Sequence, residues 1–316
     1  MTHRFSPRDL PLAAMSKGNT IVAEGLRKRY GDLWAVDGVS FTVGEGEFFG
    51  ILGPNGAGKT TTLEIIEGLR KPDEGSVRLF GEQPWPRNPK LLPRIGVQLQ
   101  ASSFFEKLTA REQLETFASL YGVSTGTAAD MLELVGLTDK ADTRENKLSG
   151  GQRQRLSIAC ALAHDPDIVF LDEPTAALDP QARRNLWDVL RAIKDRGKTI
   201  VYTTHYLDEA EILCDRTAIM DKGKILAMDA PATLVRGLDA PTHVMIERGI
   251  IALDDAKSLA GVEEASDDGV SLRLSTRHPG KLLSTLAERG ALEGLQVRGA
   301  TLEDVFLELT GREYRA

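Results

Sequence analysis

Short continuous apolar runs alternate with helix-like spacing along much of this sequence. Continuous runs occupy residues 48–52, 168–171 and 199–202, and strands that are covered on both faces have this pattern. Between the last two runs, apolar residues recur at the spacing of one helical face, at Leu186, Val189, Leu190 and Ile193. Alternation of strand and helix predicts an α/β domain with a parallel sheet and helices on its faces.

Residues from about 101 to 164 interrupt this alternation and have a nearly all-helical pattern. Thr109 and Glu112 form a capping box ahead of one apolar helical face, and Ser149 and Gln152 form a second. The pattern predicts a helical subdomain inserted into the sheet domain.

The pattern changes again from about residue 225. A strand at 244–247, a hairpin turning at 267–269, a helix at 282–289, a strand near 295–297 and a helix at 302–309 predict a small α+β domain. We therefore expect a flexible N-terminal tail at residues 1–18, a main domain at 19–228 and a C-terminal accessory domain at 229–316.

Composition narrows the class of protein. The chain has 316 residues, a formal net charge of −7 and two cysteines, so neither a disulfide scaffold nor a cysteine-based zinc site is expected. The net charge argues against nonspecific nucleic-acid binding. No apolar stretch approaches the roughly 18–20 residues of a membrane-spanning helix. Any action at a membrane would thus require docking to another protein.

A glycine-rich segment follows the apolar run at 48–52 and precedes a helix-like stretch at 60–68. It matches the pattern G-x-x-x-x-G-K-[ST] in the context that makes the match credible. Its glycines allow backbone N–H groups to surround a phosphate, Lys59 can reach the β and γ phosphates, and the Thr60 hydroxyl can ligate Mg²⁺. The candidate phosphate-binding residues are Gly53, Pro54, Asn55, Gly56, Ala57, Gly58, Lys59, Thr60 and Thr61.

Two adjacent carboxylates end the apolar run at 168–171. Asp172 can orient Mg²⁺, and Glu173 can act as a general base on the water that attacks the γ-phosphate. Ligands bind outside the carboxyl ends of parallel strands, so both side chains are expected beside the glycine-rich loop.

The pentapeptide Leu148-Ser149-Gly150-Gly151-Gln152 is more specific than either nucleotide motif. With it, the sequence resembles the ATP-binding subunits of ABC transporters, over roughly residues 20–225. The resemblance implies a P-loop NTPase core with a mixed or parallel sheet. It also implies that Ser149, Gly150, Gly151 and Gln152 contact the γ-phosphate of ATP held by the opposite subunit.

The resemblance implies roles for further residues in the family's order. Tyr30 matches the aromatic residue that stacks on adenine, and Gln100 matches the glutamine that senses Mg²⁺ and contacts the membrane partner. Gln98 lies two residues earlier, but Gln100 fits the spacing to Leu108-Thr109 better. Asp179 matches a residue of the loop that crosses the dimer interface, and Ala177, just before this loop, stands where the family usually has glycine. His205 matches the switch histidine that contacts the γ-phosphate.

A weaker resemblance extends to the C-terminal end. Residues 301–311 and 205–211 are similar to segments of ATPases in the drug- and polysaccharide-export branch, of the daunorubicin-resistance type. Together these matches imply an ATPase that uses ATP and Mg²⁺, at the cytoplasmic face of the membrane. Its partners would be a separately encoded permease and a second copy of itself or a paralogous subunit, without nucleic acid.

Two other classes compete with this reading. One is a soluble ABC-type ATPase without a pore, such as a DNA-repair or ribosome-associated factor. Repair members would need a long coiled-coil insertion, for which the spacing from Lys59 to Asp172 leaves no room, and ribosome-associated members usually carry two cassettes, whereas this sequence has one. A nucleotide sensor that binds without hydrolysing is disfavoured by the presence of both Glu173 and His205. ATP-driven export is the function that the resemblance favours.

Overall fold

The computed structural model describes residues 18–98, 104–105, 107–238, 240–311 and 314. The described chain divides into two compact units: a main unit up to Pro231, and a C-terminal unit from Ala232 to Tyr314. The predicted N-terminal tail lies outside the described residues except for Gly18.

A mostly parallel sheet forms the centre of the main unit. In order across the sheet, its strands are β5 (Ile95–Gln98), β6 (Ile168–Asp172), β7 (Thr199–Thr204), β3 (Phe48–Leu52), β8 (Arg216–Asp221) and β9 (Lys224–Asp229). Neighbours are parallel except for the antiparallel pair β8 and β9. Strands β3, β6 and β7 are buried along their whole length. The continuous apolar runs therefore became central parallel strands, as predicted.

A second, antiparallel sheet packs on this core. Its strands are β2 (Leu33–Gly44), β1 (Asn19–Tyr30) and β4 (Glu74–Leu79), in that order. Side chains such as Ile21 and Phe41 join Phe49, Leu63 and Phe170 in one apolar cluster. The Phe41 and Phe49 rings stack with centroids 5.0 Å apart. The mixed sheet implied by the family resemblance is thus present as two sheets that share one core.

Helices follow strands β3, β6 and β7 along the chain. They are α1 (Lys59–Ile66), α5 (Pro180–Asp195) and α6 (Leu207–Leu213). The buried face of α5 consists of the four residues singled out from the sequence: Leu186, Val189, Leu190 and Ile193.

The predicted helical insertion is confirmed over its described part. It contains α2 (Ala110–Leu120), α3 (Thr127–Leu134) and α4 (Gly150–Leu162), with short 3-10 turns at Thr138–Lys140 and Glu145–Lys147. Both capping boxes form, at Thr109 with Glu112 and at Ser149 with Gln152. Each box satisfies amide groups that the first helical turn leaves without partners.

The C-terminal unit has its own core. Its elements are α7 (Pro231–Arg236), β10 (Thr242–Glu247), α8 (Leu253–Lys257), β11 (Glu264–Asp267), β12 (Ser271–Thr276), α9 (Pro279–Glu288), β13 (Gln296–Arg298) and α10 (Leu302–Thr310). The antiparallel order β11-β12-β10-β13 with α8 and α9 is the split βαβ arrangement of ferredoxin-like folds. Val244, Leu274 and Leu282 are fully buried in its apolar cluster. The predicted hairpin and its α+β class are therefore confirmed.

Both cysteines are buried. Cys160 lies in the buried C-terminal half of α4, and Cys214 lies just beyond the end of α6, ahead of β8. None of the helices in the described ranges has the length and apolar character needed to cross a lipid bilayer.

Candidate functional site

The glycine-rich loop connects β3 to α1 at the carboxyl edge of the parallel sheet. A Cβ on Gly53 would lie 2.2 Å from the Met220 carbonyl oxygen, and one on Gly58 would lie 2.1 Å from that of Ala35. Gly58 also has a φ of +103° at the N-cap of α1. Only glycine fits both positions, since any side chain would collide with backbone. The loop is therefore held against neighbouring strands.

Lys59 is the buried cation of this loop. Its side chain is 4% exposed, and Nζ donates to the carbonyl oxygens of Gly53 at 2.7 Å and Pro54 at 3.1 Å. Nζ also forms an ion pair with Glu173 Oε1 at 3.0 Å. The ammonium group thus has a carboxylate partner in Glu173, which directly follows β6. This pairing offsets the cost of burying the Lys59 charge.

Glu173 connects the loop to His205. Its Oε2 lies 3.0 Å from His205 Nδ1, while Oε1 holds Lys59. The Glu173 backbone has a φ of +44°, and its N–H donates to Thr203 Oγ1 at 2.9 Å. A left-handed conformation is costly for a non-glycine residue, and such strain concentrates at functional sites. Lys59, Glu173 and His205 therefore form a continuous polar chain across the ends of β3, β6 and β7.

Asp172 lies next to this chain at the end of β6. Its Oδ1 accepts hydrogen bonds from Thr203 Oγ1 and, at 3.3 Å, from Thr60 Oγ1. Burial raises the pKa of the Asp172 carboxyl, and the two threonine hydroxyls act in the opposite direction. A hydroxyl and a carboxylate oxygen side by side fit Mg²⁺, which takes one or two protein oxygens beside substrate phosphates and water.

The Ser149–Gln152 segment begins α4 with a capping box. Ser149 Oγ accepts from the Gln152 N–H at 3.3 Å, and Gln152 Oε1 accepts from the Ser149 N–H at 2.9 Å. A Cβ on Gly151 would lie 2.9 Å from Ala182 Cβ, whereas one on Gly150 would meet open space. Packing against α5 thus explains Gly151 but not Gly150.

Asp179 caps α5, and its Oδ1 accepts from the Gln181 and Ala182 N–H groups at 2.9 Å each. Ala177, two residues earlier, has a φ of +61°. This left-handed conformation accounts for the glycine that the family usually has there. The alanine keeps the same turn at a cost in strain.

Not all predicted residues join the Lys59 cluster. Tyr30 is 42% exposed at the end of β1, where its ring faces Arg70 and Lys28, at 5.4 and 6.0 Å respectively. Ser149 and Asp179 cap helices α4 and α5 respectively. Gln100 lies outside the described residues, whereas Gln98 is a buried residue of β5.

Glu67, at the end of α1, is a buried carboxyl that the sequence analysis missed. Its side chain is 6% exposed, and its Oε1 makes no hydrogen bond within the described ranges. Burial, followed by the negative charges of Asp172 and Glu64, raises the pKa of Glu67 to about 8. The available signal was a carboxylate placed among the apolar residues of a short helix.

Glu209 is a second missed carboxyl. It is fully buried in α6, where Tyr202 and Thr204 donate hydrogen bonds to it. Burial, then the Glu209 charge, raises the pKa of Tyr202 well above its ordinary value. Its sequence signal was an acidic residue four positions after His205.

This arrangement defines a class of protein. A glycine-rich loop stands at a helix N-terminus, with a buried lysine, two carboxylates and a histidine at the same sheet edge. This set of groups is typical of phosphate-loop nucleoside-triphosphate hydrolases. The groups are placed for binding a polyphosphate and activating a water molecule.

Known proteins are similar to this chain in both sequence and fold. The family model described as ABC transporter matches residues 36–176. Nod factor export ATP-binding protein I of Burkholderia orbicola is 43% identical over 293 residues, spanning 91% of this chain and 96% of that protein. Linearmycin resistance ATP-binding protein LnrL of Bacillus subtilis is 36% identical over 310 residues, spanning 93% of this chain and 99% of that protein.

Solved structures of ATP-binding cassettes are also similar to this chain. A dimeric ATP-binding cassette in a post-hydrolysis state with ADP and phosphate matches with a TM-score of 0.60 and 30% identity, covering 66% of this chain and 98% of that chain. An ATP-binding cassette in its ADP conformation matches with a TM-score of 0.61 and 27% identity, covering 67% of this chain and 91% of that chain.

The chain belongs to the ABC transporter family, as an ATP-binding subunit of the export and drug-resistance type. It binds and hydrolyses ATP and energises transport, which confirms the predicted fold class and activity. As such a cassette it works with membrane permease components.

Proposed function

We propose that the residues at the carboxyl edge divide the hydrolysis of Mg-ATP among themselves. The observation that carries this assignment is the unbroken contact series from Lys59 through Glu173 to His205, with Asp172 and Thr60 beside it. Residues 53–61 would hold the phosphates, with Lys59 on the β and γ groups, and Tyr30 would stack on adenine. When bound, Mg²⁺ would neutralise phosphate charge, held by Thr60 and Asp172 and sensed by Gln100.

Glu173 would act as the general base. Its carboxylate is buried between a cation and an imidazole, so it is oriented before substrate arrives. It would accept a proton from the attacking water, and His205 would hold the γ-phosphate from the other side. On nucleotide binding, Lys59 would exchange its contacts with the carbonyls of Gly53 and Pro54 for phosphate oxygens.

Two copies would face head to tail, with ATP between them. The Ser149–Gln152 segment of one copy would contact the γ-phosphate bound by the loop of the other, and Asp179 would cross the interface. Support comes from Gly150, which no packing within the described chain requires to be glycine. Its bare backbone leaves the capped helix N-terminus accessible to an anion.

Replacing Gly150 with alanine is expected to separate stability from activity. The new Cβ meets open space in the isolated chain, so helix propensity should raise the free energy of unfolding by roughly 0.5 kcal/mol. In the dimer the same methyl group would stand between amides and phosphate, and turnover should fall by about tenfold or more, in line with the loss of one transition-state contact. Denaturant unfolding and ATP turnover measure the two effects.

Gly151→Ala is the matched control for this prediction. Its Cβ would press on Ala182, so this variant should lose about 1–3 kcal/mol of stability. Unchanged turnover in a stable Gly150→Ala variant would contradict the assignment of this segment to a second nucleotide.

The membrane partner would be a separately encoded permease, with this chain bound at the cytoplasmic face through the Gln100 loop and the helical insertion. The names of the relatives, Nod factor export and linearmycin resistance, support export as the direction. The permease would select the cargo, and the C-terminal unit at 229–316 would be an accessory domain.

Detergent extraction followed by affinity purification of the full chain tests this partnership. We expect an integral membrane protein to co-purify in stoichiometric amount and to stimulate ATP turnover. Recovery of the active chain alone from both membrane and soluble fractions would favour a soluble ABC-type ATPase instead.

A further inference from the structure

A series of packed groups lies next to His205. The His205 and Tyr206 rings are in contact, with centroids 4.1 Å apart. The guanidinium carbon of Arg183 lies 4.1 Å from the centroid of the Tyr206 ring. Because a guanidinium group is attracted to an aromatic face, Arg183 restrains Tyr206 and so supports the imidazole.

Glu209 fixes the same segment from within the protein. Its Oε2 accepts a hydrogen bond from Thr204 Oγ1 at 2.6 Å and another from the Tyr202 hydroxyl. Thr204 Oγ1 in turn accepts from the Tyr206 N–H at 2.9 Å. Thr204 and Tyr206 flank His205 in the chain. One buried carboxylate therefore restrains the backbone on both sides of the histidine.

The charge pairing of Glu209 is incomplete. Glu209 Oε1 and Arg183 Nε are 3.8 Å apart, and neither atom makes a hydrogen bond within the described part of the chain. Arg183 lies at a similar distance, 3.9 Å, from Asp208 Oδ2. A fully buried carboxylate is costly without a cation, and a small movement of Arg183 would change the strength of this pair.

Arg183 belongs to the first turn of α5. Its N–H donates to the Asp179 carbonyl at 2.9 Å, and the Asp179 side chain caps the same turn. A displacement of Asp179 would therefore carry Arg183 with it.

We propose that Arg183, Tyr206 and Glu209 are positioning residues for His205, and that the Arg183–Glu209 pair couples the turn capped by Asp179 to the orientation of His205 against Glu173. None of the three would touch the nucleotide. The inference rests on the proposed roles of His205 in hydrolysis and of Asp179 at the dimer interface. A partner subunit that moves the Asp179 turn would then tune hydrolysis through this contact.

The first test compares Arg183→Gln with Arg184→Gln in the full chain. Arg184 is the next residue along the helix and is exposed, so it provides a matched change of charge. We expect Arg183→Gln to lower kcat for ATP by about tenfold, because a misplaced catalytic group loses orientation rather than binding. KM should stay within about twofold, and Arg184→Gln should leave both constants unchanged.

Two variants separate positioning from folding. Glu209→Gln keeps the size of the side chain and its acceptor oxygen but removes the charge, so it should reproduce the loss in kcat. Arg183→Lys keeps the positive charge and should recover part of that loss. A kcat within twofold of the parent in both Arg183→Gln and Glu209→Gln, with both folded by thermal unfolding, would overturn the proposal.

A double-mutant cycle with His205→Ala identifies the route of the effect. If Arg183 acts through His205, Arg183→Gln should cause no further fall in a His205→Ala background, followed over long time courses with labelled ATP. Equal fold-losses in both backgrounds would show that Arg183 acts elsewhere. Wild-type turnover in His205→Ala itself would instead refute the proposed role of His205, so the two failures are distinguishable.

Discussion

Glu173→Gln is expected to abolish steady-state ATP turnover while leaving nucleotide binding intact. General-base catalysis typically contributes 10²- to 10⁴-fold, and an amide cannot accept the proton from the attacking water. The amide keeps the shape of the side chain and can still contact Lys59 and His205 from the same position at the end of β6. Loss of hydrolysis without loss of binding should hold two subunits together around ATP.

The measurement combines phosphate release with size-exclusion chromatography in Mg-ATP. We expect kcat to fall at least about 100-fold, the Kd for ATP to change by less than about threefold, and a stable dimer to form only with ATP. Glu133→Gln, an exposed residue of α3, provides a matched control that should behave as the parent. Turnover near the parental rate in Glu173→Gln would refute the base assignment.

Much of this site was predictable because its parts are local. The loop at 53–61 is set by spacing along the chain, and both capping boxes form between residues three positions apart. The strands ending at Leu52, Asp172 and Thr204 were visible as continuous apolar runs, since they are buried on both faces. The parallel-edge rule then predicted that Asp172 and Glu173 would lie beside Lys59.

The antiparallel sheet of β1, β2 and β4 could not be predicted in the same way. The pairing of β1 with β2 shifts register between Ala23 and Leu26 and again before Arg27. These bulges change which side chains of β1 face the core, so the alternation that identifies a half-buried strand is lost from that strand.

The contacts around His205 could not be predicted from the sequence either. Glu209 lies in a helix of seven residues, too short for a clear periodicity, and its partner Arg183 is on a different helix. The left-handed conformation of Glu173 likewise depends on the approach of Thr203 from the neighbouring strand. These features arise from tertiary contacts that no local pattern encodes.

Lys59→Ala is expected to weaken ATP binding by about 100-fold. The substitution removes a charge-assisted contact to phosphate in a buried site, and loss of such a contact costs about 2–5 kcal/mol, where each 1.4 kcal/mol is a factor of ten in affinity. It also leaves the Glu173 carboxylate buried without its cation at 3.0 Å. The uncompensated charge would repel the γ-phosphate, which adds to the loss.

Isothermal titration with a non-hydrolysable ATP analogue measures this effect, and thermal unfolding in the absence of nucleotide reports any loss of folding. Lys59→Arg keeps the charge but has a larger, planar head group in a pocket that is 4% exposed. It should therefore retain more affinity than alanine but less than lysine. Lys71→Ala, outside the loop, should bind as the parent does.

Affinity within about threefold of the parent in a folded Lys59→Ala variant would mean that backbone amides alone hold the phosphates. Lys59 would then serve chiefly to neutralise Glu173.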